Sequence, residues 1–284
     1  MEQPQRAITF EIGRVCFSIK AKHPIIQQRL MEHYRHYICN KKPDIFIEAE
    51  HRNFVKKPNF KVLINGLTWR LGRKDSRYFL YFLREKDTSF AQINPAFNRI
   101  KFYTEDPSGQ LLLYLLPEIL MGVILPKNNA IIIHACGVLA NKRGYFFPAP
   151  SGEGKSTIAK LALKEGFSVL NDDRIIIRRE GNLFKMCGNP WHGEVENTSS
   201  NSVGIKKAFF LNKAASNKVR LMSDKEATLG FLRNSFYLPV NDGIMKTRLS
   251  ICYNLARALK CYRLDFRADR TIWRFLDEHF KKNT

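Results

Sequence analysis

The stretch Tyr145-Phe146-Phe147-Pro148-Ala149-Pro150-Ser151-Gly152-Glu153-Gly154-Lys155-Ser156-Thr157 decides the reading of this chain. A short aromatic run suited to a central strand leads directly into a loop of small residues. The spacing beyond it predicts a helix over 156–165, stopped by Gly166. From Ala149 onward the loop obeys G-x-x-x-x-G-K-[ST], except that Ala149 stands at the first glycine. Backbone N–H groups of Ser151, Gly152, Glu153, Gly154 and Lys155 can curl around phosphate oxygens, and the helix that follows adds its N-terminal dipole. Lys155 is then expected to reach the β- and γ-phosphates, with the Ser156 hydroxyl on Mg²⁺ and Thr157 beside it. Ala149 needs only to tolerate the backbone at the loop entrance. ATP and Mg²⁺ are the expected cofactors.

Downstream, a strand over 167–170 delivers Asn171-Asp172-Asp173. Carboxylates at that strand end would face the phosphate loop, where an α/β sheet gathers its ligands. One can hold Mg²⁺ while the other orients or deprotonates an attacking hydroxyl. The competing reading is a surface turn. Upstream, the strand 131–133 is expected to end at His134, whose side chain would approach the γ-phosphate from the neighbouring strand. The segment Gly188-Asn189-Pro190-Trp191-His192-Gly193-Glu194 is dense in turn formers and polar groups. Glu194 is a candidate to complete a metal site with Ser156, Asp172 and Asp173, and His192 reads as structural.

The N-terminal part has a different texture. Residues 8–19 alternate as a hairpin that turns at Gly13-Arg14. Pro24 opens a helix with Ile25, Ile26, Leu30, Tyr34, Tyr37 and Ile38 on one side. Strand candidates follow at 44–49, 62–64, 68–71, 78–83 and 99–103. A single buried helix over 108–125 joins this α+β module (residues 1–125) to the phosphate-loop domain (residues 126–284). Its apolar stretch is short and broken by Pro117, Glu118 and Gly122, so a membrane span is not expected. Beyond the loop, a hairpin is read around Glu180-Gly181-Asn182, a strand at 208–211, and helices near 225–231, 247–259 and 270–280.

Composition bounds the partners. The chain has 284 residues, and its 47 basic and 26 acidic residues give a net charge of +21, spread along the chain in pairs such as Lys41-Lys42 and Lys56-Lys57. Such a field suits polyanions, either an acidic acceptor or nucleic acid, although no RNA-binding signature or zinc finger accompanies it. The six cysteines are far apart in sequence and form no C-x-x-C pair. They read as reduced, packed thiols, with neither a disulfide framework nor a zinc site. The residues at 1–5 lack the layout of a secretory signal, which makes cytoplasmic location the expectation.

His134-Ala135-Cys136-Gly137-Val138, the phosphate loop through Thr157, and Asp172-Asp173 resemble, in this order, the catalytic domain of HPr kinase/phosphorylase. That family shares its nucleotide-binding core with phosphoenolpyruvate carboxykinase. The segment 189–194 looks like that of a bacterial subgroup that includes serine kinases of lasso-peptide precursors. The resemblance covers about residues 125–215. It implies an α/β fold with an HPr-kinase/phosphoenolpyruvate-carboxykinase-like phosphate-loop core behind an N-terminal α+β module. It also implies phosphate and Mg²⁺ handling by Lys155 and Ser156, Asp172 as base, Asp173 supporting the metal or the base, and His134 near the transferring group. Ala149 departs from the family's glycine. The second glycine-rich signature of true HPr kinases is not found after Glu194, which turns the expectation away from HPr and toward another hydroxyl.

The leading expectation is an ATP-dependent kinase for a hydroxyl, a serine of a peptide or protein. A small-metabolite kinase is the alternative within the enzyme class, decided by whether the first domain presents an open groove or a closed pocket. A non-catalytic nucleotide-binding module with a basic, nucleic-acid-binding surface is the alternative outside it. Assembly into an oligomer stays open.

Overall fold

The computed structural model describes residues 7–56, 58–83, 88–196 and 199–281, apart from the side chains of residues 280 and 281. Residues 1–5 and Lys57 therefore lie outside the described residues. The chain divides into two compact units, Met1–Ile124 and Leu125–Thr284.

In the first unit, β1 (Ile8–Ile12) and β2 (Val15–Ala21) form the expected hairpin. Gly13 and Arg14 both take left-handed backbone (φ 58° and 64°), as a two-residue turn matched to the strand twist demands. Helix α1 (Pro24–Tyr34) buries Ile26, Leu30 and Tyr34 and ends there. Ile25 and Ile38, expected on the same side, are exposed; the helix ends at Tyr34, so Ile38 lies beyond it and bridges to Phe10. The sheet is completed by β3 (Ile45–His51), β4 (Lys61–Asn65), β5 (Trp69–Lys74), β6 (Arg77–Phe82), β7 (Ser89–Ile93) and β8 (Arg99–Thr104). Its eight strands run β1-β2-β3-β8-β7-β6-β5-β4. Strand β7 escapes the sequence reading because its inward positions include Ser89, whose hydroxyl is satisfied by Thr104 at 2.7 Å. Two cysteines that are distant in sequence meet here, with Cys16 Sγ and Cys39 Sγ 3.5 Å apart.

The single helix expected over 108–125 is two: α2 (Gln110–Leu113) and α3 (Leu115–Lys127), broken at Tyr114 (φ −126°, ψ −78°). The Tyr34 hydroxyl donates to the Leu113 carbonyl at 2.7 Å, occupying an acceptor at that break. By length and composition Gln110–Lys127 is apolar enough to cross a membrane (mean hydropathy 1.4), and 78% of it is buried within the fold.

The second unit begins with β9 (Ala130–Ala140), which pairs with β10 (Arg143–Pro148) as an antiparallel hairpin. The phosphate-loop helix α4 (Lys155–Lys164) follows, then β11 (Ser168–Asn171), β12 (Arg174–Glu180) and β13 (Leu183–Cys187). Next come β14 (Ser202–Lys213), β15 (Lys218–Leu221), α5 (Asp224–Asn234), β16 (Ser235–Phe236), α6 (Asp242–Ala258), β17 (Lys260–Phe266) and α7 (Thr271–Lys281). The sheet is mixed: β10 is parallel to β14, and β14 to β17, whereas β9 is antiparallel to β10, β11, β12 and β16.

Strand β9 is far longer than the apolar triplet at 131–133, so His134 lies within a strand and does not end one. Both faces of β9 are covered, which removes the alternation that would have marked its length. Cys136, Val138 and Ala140 pack with α4 and α7, through Ile158, Ala162 and Trp273. Ile131, Ile133 and Ala135 pack with α5 and α6, through Phe231 and Leu255. Burying each such large side chain contributes about 1.5–3 kcal/mol. Pairing of β10 with both β9 and β14 closes a circuit of five strands, β9-β12-β13-β14-β10. Gly144 permits this closure, since a Cβ there would stand 2.3 Å from the Gly204 carbonyl oxygen on β14.

Candidate active site

Because β10 and β14 run parallel, their carboxyl ends open on the same edge of the sheet, and the chemistry-bearing residues collect there. A cavity of about 300 Å³ is lined by His134, Ser151, Gly152, Gly154, Lys155, Ser156, Thr157, Asp172, Asp173, Gly193, Glu194 and Lys213. Every residue expected at the site from sequence contributes to that wall except Glu153.

The loop is shaped by its glycines. Gly152 (φ 87°) and Gly154 (φ 96°) both hold left-handed backbone, and Gly154 caps α4. Ala149 is not among the left-handed residues. Its N–H donates to the His134 carbonyl at 3.2 Å and its methyl group is buried in the core beside α4, so glycine is not required there. Lys155 is buried and donates through Nζ to its own loop, at Pro150 O (2.8 Å). Burial pulls its pKa down, against the opposing fields of Asp173 and Asp172. Glu153 does not line the cavity, and its carboxylate accepts the Lys213 backbone N–H at 3.3 Å. That explains how an acidic residue is tolerated in a loop built for anions.

The two aspartates differ sharply. Asp172 is buried, and its carboxylate accepts three backbone N–H groups: Gly193 at 2.9 Å, Glu194 at 3.1 Å and Val195 at 3.2 Å. Asp173 is more open. Its Oδ1 lies 2.8 Å from His134 Nε2, and its Oδ2 pairs with Arg174. Burial would raise the Asp173 pKa, but the His134 hydrogen bond and the charges of Arg174, His134 and Lys155 outweigh it and hold the carboxyl below its ordinary range.

Asn171 braces this turn. Its Oδ1 accepts the backbone N–H of Asp173 (2.8 Å) and Arg174 (2.9 Å), while its Nδ2 donates to Trp191 O (3.0 Å). Asn189 returns the tie by donating to Arg174 O at 2.6 Å. The Asn189-Pro190-Trp191 segment is therefore a buried scaffold for the aspartate turn. His192 is half-buried, with Nδ1 3.1 Å from Gly193 O. Glu194, expected as a metal ligand, instead pairs its exposed carboxylate with Lys160 at 2.6 Å.

Among the described residues no group of three or more His, Cys, Asp or Glu side chains is disposed to hold a metal ion. Mg²⁺ needs fewer protein ligands, since one or two carboxylates with phosphate oxygens and water complete its shell. Of the four residues expected to hold it, Ser156 and Asp173 fit best: both line the cavity, and Asp173 is the more open of the two aspartates, with Oδ1 against His134 and Oδ2 against Arg174. The Asp172 carboxylate is buried under three backbone amides, and the exposed Glu194 carboxylate pairs with Lys160.

Lys213, at the end of β14, is the lining residue that sequence reasoning missed. No local motif surrounds it, and only the parallel pairing of β14 with β10 brings it to the loop.

The chain matches no protein-family model and no curated protein. Among solved structures it is similar to the Hpr(Ser) kinase/phosphatase from Coxiella burnetii, with 13% identity and a TM-score of 0.26, over 44% of this chain and 97% of that one. A likeness at that score carries no argument about this chain, and the functional reading rests on the geometry of the cavity.

Proposed function

We propose that the Leu125–Thr284 unit binds ATP with Mg²⁺ and transfers the γ-phosphoryl group to a hydroxyl, a serine of a peptide or protein. The observation that carries this reading is the convergence of a phosphate loop, its Lys155 and Ser156, and the His134–Asp173 pair on one cavity. Phosphoryl transfer demands little covalent chemistry of the protein. Its needs are a cradle for the phosphates, positive charge, and a group that orients the acceptor and takes its proton.

The backbone N–H groups of residues 151–155 and the start of α4 supply the cradle, with Lys155 on the β- and γ-phosphates. Ser156 and Asp173 would hold Mg²⁺, which neutralises charge on the β- and γ-oxygens when bound. The base role expected of Asp172 moves elsewhere, because three amides already occupy its oxygens. With His134 Nε2 donating to Asp173, Nδ1 is the proton-accepting atom, and Asp173 fixes the tautomer and stabilises the imidazolium that forms.

The Met1–Ile124 unit is the proposed acceptor-binding part. One face of its sheet is buried, and the other presents the exposed side chains of Lys20, Glu48, Arg99 and Lys101. Two hollows on that face, of about 280 and 220 Å³, share Glu48 and Lys101. An open, basic face suits an extended acidic peptide better than a buried metabolite.

The test is incubation with γ-labelled ATP, Mg²⁺ and a panel of serine-containing acidic peptides, using wild type and Lys155→Ala. Label on a peptide with wild type and none with the variant supports the reading. Equal labelling by both, or ATP affinity untouched by Lys155→Ala, overturns it.

A further inference from the structure

The cavity holds a second cation that belongs to no recognised motif. Lys213 is the last residue of β14, whose parallel register with β10 (Gly144 opposite Ile205, Phe146 opposite Ala208) carries its end to the phosphate loop. Two features fix it there. Its backbone N–H donates to the Glu153 carboxylate, tying the strand end to the loop. Its side chain also lies over Gly154: a Cβ at Gly154 would stand 3.2 Å from Lys213 Cε and 2.6 Å from Phe266 Cζ. Phe266 is the register partner of Lys213 on β17, so it backs the lysine on the sheet edge.

Glu194, another residue lining the cavity, has its pKa lowered by its hydrogen bond and charge pairing with Lys160 and, to a smaller extent, by the charge of Lys213. Lys155 is buried and bonded to its loop, whereas Lys213 is exposed on the cavity wall. A polyphosphate entering the cavity would meet both cations, one from the helix and one from the strand.

We propose that Lys213 binds the polyphosphate chain beyond the α-phosphate, with Glu153 as the positioning residue that pins the loop to it. This rests on the cavity being a nucleotide site. It gives two loop features a purpose: the acidic residue at Glu153 and the glycine at Gly154, whose side-chain space Lys213 and Phe266 fill. Lysine suits the task as a flexible point charge reaching from a rigid strand end.

The experiment measures dissociation constants for ATP, ADP and AMP by calorimetry on wild type, Lys213→Gln, Lys213→Arg, Glu153→Ala and Lys155→Ala. Circular dichroism melts check that each variant is folded. Lys213→Gln is expected to weaken ATP and ADP about 10- to 100-fold, as loss of a charged hydrogen bond does, and to leave AMP within about 2-fold. Lys213→Arg should restore most of the affinity, and Glu153→Ala should give a smaller loss of the same pattern.

Unchanged ATP affinity in Lys213→Gln, with Lys155→Ala impaired, would overturn the assignment while leaving the nucleotide site in place. Equal weakening of ATP and AMP would overturn the polyphosphate contact. Unaltered binding in Lys155→Ala would instead remove the nucleotide reading on which it rests. If Lys213→Gln does not fold, Lys213→Arg and Glu153→Ala still decide: wild-type affinities in Glu153→Ala reject the positioning role, and a selective loss of ATP and ADP supports it.

Discussion

His134 on β9 and Asp173, the residue before β12, are joined side chain to side chain, Nε2 to Oδ1 at 2.8 Å, while backbone pairing at the adjacent residues holds the two strands together. The Ala135 N–H donates to Asp173 O at 3.0 Å, and Arg174 stands opposite His134 in the register. A pair held by both backbone and side chain is preorganised, the property that general-base catalysis requires.

Replacing His134 separates binding from chemistry. His134→Gln is expected to lower peptide phosphorylation by about 10²- to 10⁴-fold while ATP affinity changes little. Asp173→Asn, which also removes a proposed Mg²⁺ ligand, is expected to lower both phosphorylation and Mg²⁺-dependent ATP affinity. Single-turnover labelling beside calorimetry checks this. A parallel loss of nucleotide binding in His134→Gln would argue that the histidine belongs to the phosphate cradle.

Asp173 also links stability to pH. Its folded pKa is held below the ordinary carboxyl value, so its stabilising contribution is complete above about pH 4–5 and is lost as pH falls through the lowered value. Asp173→Asn should therefore flatten the acid limb of a stability-versus-pH curve measured by urea unfolding. An acid limb identical to wild type would contradict the depressed pKa.

Asp172 is expected to behave as a structural residue. Asp172→Ala leaves the N–H groups of Gly193, Glu194 and Val195 without their acceptor, at a cost of about 1–3 kcal/mol for each that stays buried and unpaired. A lowered urea midpoint would show it. A fully stable but inactive variant would restore Asp172 as the candidate base.

Gly193 has little room above it. A Cβ would stand 3.0 and 3.1 Å from the two Asp172 oxygens and 3.1 Å from Asp173 Cβ. Gly193→Ala is expected to destabilise by about 1–3 kcal/mol, as overpacking does, and to slow phosphorylation by shifting Asp173. Thermal melts and turnover on the same preparation test both parts.

Restoring the glycine of the common loop pattern should not help. Ala149→Gly removes a buried methyl group and loosens the unfolded chain, costing about 1 kcal/mol with ATP affinity unchanged. A gain in affinity would show that Ala149 impairs the loop.

The sequence alone determined the features whose causes are local. Gly13-Arg14 specifies a tight turn, Pro24 a helix start and Gly166 a helix stop, because backbone preferences act within a few residues. The phosphate loop is likewise readable from its glycines and the helix it opens. Tertiary structure decided what depends on distant partners. It extended β9 through His134, where burial on both faces had erased the alternating signal. It brought Lys213 to the loop by parallel pairing that no local pattern records. It also separated two adjacent, chemically identical aspartates, committing Asp172 to three amides and Asp173 to His134, because the partners of each arrive from different strands and loops.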